Sequence, residues 1–308
     1  MEQTTRAHVA LFVTNLIYGA NYVVAKAIMP QVIGPSGFVA LRVLGAALLF
    51  WMLRAFRPER VATGDMLRML LCAVFGVAIN QLMFFHGLMR TSPLHASILM
   101  VATPILVLVF ASFWIRERVT PMKLIGVLLG AGGALMLIML RDVGTGQGSS
   151  RLGDMFILVN ATSFAIYLVI AKPLMMKYTA VTVTAWTFLI GSLIVTPFGL
   201  ADLNVVQWSA LTNYEWGSIF FVIVFVTFIA YLLNTWALRV VNPSVVGTYI
   251  YLQPVLATLF GWIFFELGHL WPDFSATPRP VMGFVAGLGA AAIFLGVHLV
   301  GRADARGK

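Results

Sequence analysis

Charge is what this chain has least of. Only 10% of its 308 residues are Asp, Glu, Lys or Arg, and just 11 are acidic. A soluble domain carries about 25% charged residues, so water is a poor solvent for most of this surface. Cysteine is nearly missing too, with Cys72 alone in an apolar run. One cysteine excludes an intramolecular disulfide and any cysteine-based metal cluster, and Cys72 reads as a small packed thiol. The interiors of the hydrophobic runs hold no Asp or Glu; Glu117 and Glu266 stand at run ends. That excludes a carboxylate proton relay through a bilayer centre. No HExxH, no central carboxylate pair and no Cys/His cluster is present, so neither a metal site nor any cofactor is expected, and enzymatic chemistry has no residues to work with.

What is present suits lipid. Hydrophobic residues make up 60% of the chain and mean hydropathy is +0.94. The formal net charge of +9 could suit nucleic acid. The basic residues are dispersed between hydrophobic runs rather than clustered, so no nucleic acid partner is expected and membrane lipid is. The first run begins near His8 and continues for about 20 residues, long enough to stay in the bilayer rather than be cleaved as a signal peptide.

Ten spans are expected: 8–29, 35–54, 66–88, 93–115, 121–140, 153–175, 180–199, 215–237, 243–265 and 281–301. Each is about 20 residues and crosses a hydrocarbon core of roughly 30 Å as a helix. Gly34-Pro35, Arg57-Pro58, Ser92-Pro93, Thr120-Pro121 and Asn242-Pro243 mark boundaries, because the residue before proline is pushed out of the helical region. The fold class is therefore an all-α membrane protein.

The chain also repeats itself. Asn15, Tyr22 and Arg42 find partners 145 residues on at Asn160, Tyr167 and Thr187. Pro93 and Pro104 recur 150 residues on at Pro243 and Pro254. Gly126, Gly130 and Gly132 recur 157 residues on at Gly283, Gly287 and Gly289. The growing offset is what loop insertions between duplicated helices produce. The seam falls in a Gly/Ser-rich segment, Arg141 to Asp154, with a linker at 143–152 between a first five-helix repeat at 1–142 and a second at 153–308. Its glycines lack the Gly-Lys-Ser/Thr ending and the preceding strand of a phosphate loop.

Placing the N-terminus inside puts fourteen Lys and Arg residues on the inner side and four (Arg90, Arg141, Arg151 and Arg279) on the outer. Both termini are therefore expected in the cytoplasm. Five spans per repeat is odd, so the second repeat enters the membrane upside down. Ten transmembrane helices as two inverted repeats are the architecture of a carrier that alternates access.

The candidate site residues are polar groups inside spans. Asn15, Tyr18, Gly19, Tyr22 and Lys26 share one face of the first span, and Asn160, Ser163, Phe164 and Tyr167 repeat it in the sixth. Such groups face a water-filled cavity or glue helices together. Lys26 lies near the outer end, within reach of headgroups by snorkelling. Arg42 lies about seven residues in from the outer end of its span, roughly 10 Å deep. It needs freed carbonyls or an anionic ligand group as a partner. Asn80 and Gln81 sit midway through the third span, with His86 beyond them. Pro104 and Pro254 are expected to kink their spans and free the carbonyls of Met100 and Ile250. Tyr249 and Gln253 share a face beside the second of these prolines. Gly126 and Gly130, with Gly283 and Gly287, are expected to let two helices approach closely.

These features resemble the drug/metabolite transporter superfamily, specifically its EamA-type ten-helix exporters. NLIYGANYVVAK in the first span, the arginine of FVALRVLGAALLF, the Ser92-Pro93 to Pro104 arrangement and RERVTPMKLIGVLLGAGG carry the resemblance over nearly the whole chain. The segment Glu266 to Pro280 departs from it. The resemblance implies a basket of helices around a central cavity lined by spans one, three, four, six, eight and nine. It also implies export of amino acids or other small metabolites across a bacterial cytoplasmic (inner) membrane. The expected partner is a small-molecule substrate, with an apolar or aromatic amino acid as first choice. Monomer and homodimer both stay open. A lipid or lipid-linked sugar flippase is the main alternative, and an intramembrane enzyme a remote one.

Overall fold

The computed structural model describes residues 2–29, 32–91, 96, 99–139, 150–267 and 284–306. Among these residues every regular element is helical. In chain order they are α1 (Glu2–Ile28), α2 (Pro35–Ala55), α3 (Met66–Ala73), α4 (Asn80–Leu88), α5 (Ala102–Trp114), α6 (Pro121–Met139), α7 (Arg151–Lys177), α8 (Ala180–Asn204), α9 (Asn213–Phe221), α10 (Ala230–Val240), α11 (Pro243–Thr248), α12 (Leu252–Leu267) and α13 (Phe284–Arg306). Short 3-10 and π segments join several of these end to end.

Among the described residues eight stretches are long and apolar enough to cross a membrane: Pro35–Ala55, Thr63–Leu88, Pro121–Met139, Arg151–Lys177, Ala180–Asn204, Asn213–Val240, Pro243–Phe264 and Gly287–Arg306. The other two expected spans correspond to α1, whose polar stripe dilutes its apolar content, and to the shorter α5. Side chains such as Leu48, Phe113, Leu193 and Phe220 are exposed. In water such a surface would aggregate; in hydrocarbon it is the solvated face. The chain is thus a multi-pass membrane protein.

Helix boundaries follow local chemistry. Gly34 is extended and Pro35 starts α2; Asn242 is extended and Pro243 starts α11. Proline at the first helical position gives up an N–H that would have had no partner there. Thr212 and Glu215 form a capping box on α9. The expected boundary at Ser92-Pro93 and most of the linker lie outside the described residues.

The most extensive packing joins the two halves of the chain, α6 on α13 and α2 on α8. A Cβ added to Gly296 would sit 2.5 Å from the Gly126 carbonyl and 2.7 Å from the Gly130 nitrogen. One added to Gly133 would sit 2.5 Å from the Gly289 carbonyl. Gly126 and Gly130 therefore behave as expected, but their partner is Gly296. Gly287 has nothing within 4 Å, and Gly283 lies outside the described residues. A four-residue spacing defines a helix face; it does not say where along that face the neighbour crosses.

The remaining contacts exchange between halves. α1 packs on α10 and α12, while α7 packs on α4 and α5. Two π segments occupy matching places, Val74–Ile79 between α3 and α4 and Val222–Ile229 between α9 and α10. Such widened turns are frequent at functional sites.

Pro104 and Pro254 do not kink continuous helices. Val101 forms a turn and α5 restarts at Ala102; Tyr249–Tyr251 is 3-10 and α12 restarts at Leu252. Each proline thus lies in the first turn of a new helix, where its missing N–H and fixed φ are tolerated. The two breaks touch, the Tyr251 hydroxyl donating to the Val101 carbonyl at 3.3 Å. The ring of Tyr251 lies where a side chain on Gly130 would be.

Candidate functional site

Arg42 anchors a polar centre between the halves. It sits in the third turn of α2 and is 6% exposed. Its Nε–H donates to Thr227 Oγ1 at 3.0 Å. Thr227 belongs to the second π segment, and its own hydroxyl donates to the Val222 carbonyl at 2.8 Å, five residues back. The widened turn thus consumes the hydroxyl proton and turns the oxygen lone pairs toward the guanidinium. The Phe85 ring centroid lies 5.6 Å from the guanidinium carbon, a cation–π arrangement. The phenols of Tyr18 and Tyr231 are its electrostatic neighbours. Among the described residues no carboxylate pairs with Arg42.

Tyr231 links this centre to the third span. Gln81 Nε2 donates to the Tyr231 hydroxyl at 3.4 Å, while Gln81 Oε1 is buried without a partner. Phe188 stands edge-on to Tyr231 with centroids 4.9 Å apart. Thr187, at the repeat position of Arg42, is also buried with its hydroxyl unpartnered.

The first π segment is served by α7. Asn160 Nδ2 donates to the Asn80 carbonyl at 2.7 Å, and the Ser163 hydroxyl donates to the Phe75 carbonyl at 2.5 Å. Carbonyls loosened by a widened turn need such donors. Asn160 Oδ1 is left without a partner. The Tyr167 hydroxyl lies 3.4 Å from Thr235 Oγ1, and its ring occupies the space beside Gly76. The other half makes the matching contact, the Thr14 hydroxyl lying 3.5 Å from the Ala230 carbonyl.

Three expected residues join helices instead. Asn15 Nδ2 donates to the Leu11 carbonyl at 2.8 Å, and its Oδ1 accepts from Gln253 Nε2 at 3.3 Å. The Tyr249 hydroxyl lies 2.9 Å from His8 Nδ1. Gln253 and Tyr249 both tie the second broken span to α1. Tyr22 and Lys26 lie in α1, and their side chains are outside the described residues.

Arg42, Gln81, Asn160 and Tyr167, singled out from the sequence, are buried in these contacts together with Thr227, Tyr231 and Phe85, which the sequence reading did not single out. Tyr231 was legible, since it stands 150 residues after Gln81 and four after Thr227. A polar pair one helical turn apart inside an apolar span, at i+4 here and at i+3 for Asn15 and Tyr18, is the same kind of signal.

Comparison with known proteins decides the family. The profile of the EamA-like transporter family matches residues 5–139 and again residues 151–277. The chain belongs to the EamA-like transporter family. Relatives of this EamA protein include an uncharacterized transporter of Archaeoglobus fulgidus, 25% identical over 88% of this chain and 92% of that one. Another is the uncharacterized transporter YetK of Bacillus subtilis, 27% identical over 85% and 82% respectively. A WAT1-related chloroplastic protein of Arabidopsis thaliana is 23% identical over 80% of this chain. A solved crystal structure superposes with a TM-score of 0.76 over 99% of both chains at 16% identity; that likeness concerns the fold alone. As an EamA-family member, the protein is a membrane transporter.

Proposed function

We propose that this EamA protein is a secondary transporter that exports a small polar metabolite across a bacterial cytoplasmic membrane by alternating access. One observation carries the reading. Gln81 Oε1, Asn160 Oδ1 and the Thr187 hydroxyl are buried without partners and come from both halves. Gln81 lies in α4 with Phe85, and Thr187 lies in α8 next to Phe188, whose ring packs on Tyr231. A buried polar atom without a partner costs about 1–3 kcal/mol, and a bound solute with donors and acceptors of its own removes that penalty.

An apolar or aromatic amino acid is the first substrate to try. Its carboxylate meets Arg42, its ammonium meets Gln81 Oε1, and its side chain lies among Phe85, Phe188 and Tyr18. Tyr22 and Lys26 extend the same route along α1. The alternating mechanism takes ten helices as two inverted repeats with both termini in the cytoplasm. The exchange of contacts between halves, the paired π segments and the double match to the family profile support that arrangement.

The flippase alternative draws on a groove of about 740 Å³ lined by Val9, Ala10, Val13, Leu233 and Trp236, with Glu2 and Arg6 at one end. None of these carries the unpartnered atoms, so the metabolite reading is the stronger. Purified protein in vesicles, offered a panel of radiolabelled amino acids and related carboxylates, is expected to show saturable flux for at least one. Well-folded protein with no saturable flux for any of them would remove the reading.

A further inference from the structure

Glu117 is turned into the protein by a strained residue. Arg116 has φ 55°, in the left-handed region that arginine rarely adopts. The Glu117 N–H reaches back to the Ala111 carbonyl at 3.1 Å, ending α5 and folding the chain inward. The Glu117 side chain is 2% exposed. Its Oε1 accepts from Lys123 Nζ at 2.7 Å and from the Ser244 hydroxyl. Lys123 Nζ also reaches Asp304 at 3.4 Å, and Asn242 donates to the same Asp304 oxygen. Glu117 and Lys123 belong to the first half of the chain; Asn242, Ser244 and Asp304 belong to the second. The network closes over the seam between the end of α5 and the start of α11.

Above that seam the same two helices are broken. The Tyr251–Val101 hydrogen bond joins the breaks. Between breaks and network, α5 and α11 pack side by side, with Val107 against Gly247. The segment thus has a joint at one end and a fastening at the other. The fastening also carries an unmet acceptor, since Glu117 Oε2 is buried without a partner. A buried ion pair of good geometry with every lone pair satisfied resists opening; here hydration of Oε2 offsets part of what opening breaks.

We propose that α5 and α11 form a gate at the Lys/Arg-rich end of the protein, hinged at the two helix breaks and bolted shut by Glu117, Lys123, Ser244 and Asp304. The gate rests on the transporter reading for its purpose, but its opening is observable without transport.

The test places a reporter behind the bolt. Val107→Cys is fully buried when closed, and the native Cys72 is buried as well. Labelling by a membrane-impermeant maleimide is followed in full-length protein, in vesicles exposing this end. Adding Lys123→Met or Ser244→Ala is expected to speed labelling at least tenfold. Ser244→Ala removes one hydroxyl and leaves the ion pairs, so it guards against misfolding by the charge variant. Unchanged labelling in both, with wild-type melting temperature and monodisperse elution for Ser244→Ala, overturns the gate even if flux is normal. Faster labelling in variants of a protein that carries no substrate keeps the gate and overturns the transporter reading instead.

Discussion

Arg42 illustrates how a membrane protein keeps a buried cation, with no carboxylate paired to it among the described residues. Thr227 accepts one N–H, the Phe85 ring faces the positive charge, and two phenols stand beside it. Thr227→Val keeps the shape and removes the acceptor, leaving Nε buried and unpaired. It is expected to lower stability by about 1–3 kcal/mol, read as a lower melting temperature in detergent. Thr187→Val tests the opposite case. The hydroxyl already lacks a partner, so stability is expected to hold or rise while flux falls at least tenfold; unchanged flux would place Thr187 outside the substrate path. Outside the membrane, Glu59 accepts from the Thr179 N–H at 3.0 Å and its hydroxyl at 2.9 Å. Partial burial pushes the Glu59 carboxyl up, but hydrogen bonds from Thr182 and Thr179 outweigh it and hold it below the ordinary carboxylate range. A depressed folded-state pKa means the stabilisation is complete above the unfolded-state value and is lost as pH falls through the folded one. Melting of Glu59→Gln is therefore expected to trail the wild type at pH 7 and to converge with it in the acid range, below ordinary carboxylate titration.

Among helices, the α6–α13 seam depends on glycine where backbones nearly touch. Gly296→Ala would push a methyl against the Gly126 carbonyl, where no flexible side chain can yield. Overpacking of this kind costs about 1–3 kcal/mol. Gly287→Ala, on the same helix with open space around it, is expected to be neutral or to stabilise by up to about 1 kcal/mol through helix propensity. Melting of the two variants side by side checks this, and equal losses would mean the helices cross elsewhere. The broken spans teach a related lesson. Pro104 and Pro254 advertised irregular backbone at matched places, but proline is compatible both with a kink and with the first turn of a restarted helix. Which of these occurs depends on what receives the loosened carbonyls. The Tyr251 hydroxyl, 150 residues from Val101, favours the break.

For the molecule entire, the largest interfaces join one half of the chain to the other, α2 with α8 and α6 with α13. Chains split after residue 145 and produced together are therefore expected to copurify and to regain measurable flux, because association in the bilayer rests on such packing rather than on the connection. Failure of the halves to associate would show that their contacts are too weak to hold them without the link.

The membrane solvent, the helix positions and the internal doubling follow from composition and periodicity alone, because lipid admits only chains that satisfy their backbone within each segment. Candidate polar residues were narrowed the same way, to Arg42, Gln81, Asn160 and Tyr167 among others, since a polar side chain in an apolar run stands out against its surroundings. Their partners did not stand out. Thr227 for Arg42, Gly296 for Gly126 and Ser244 for Glu117 are 185, 170 and 127 residues distant. Pairing at such separations is settled by how helices cross and turn about their axes, and the pattern within any single helix carries no information about the face of another.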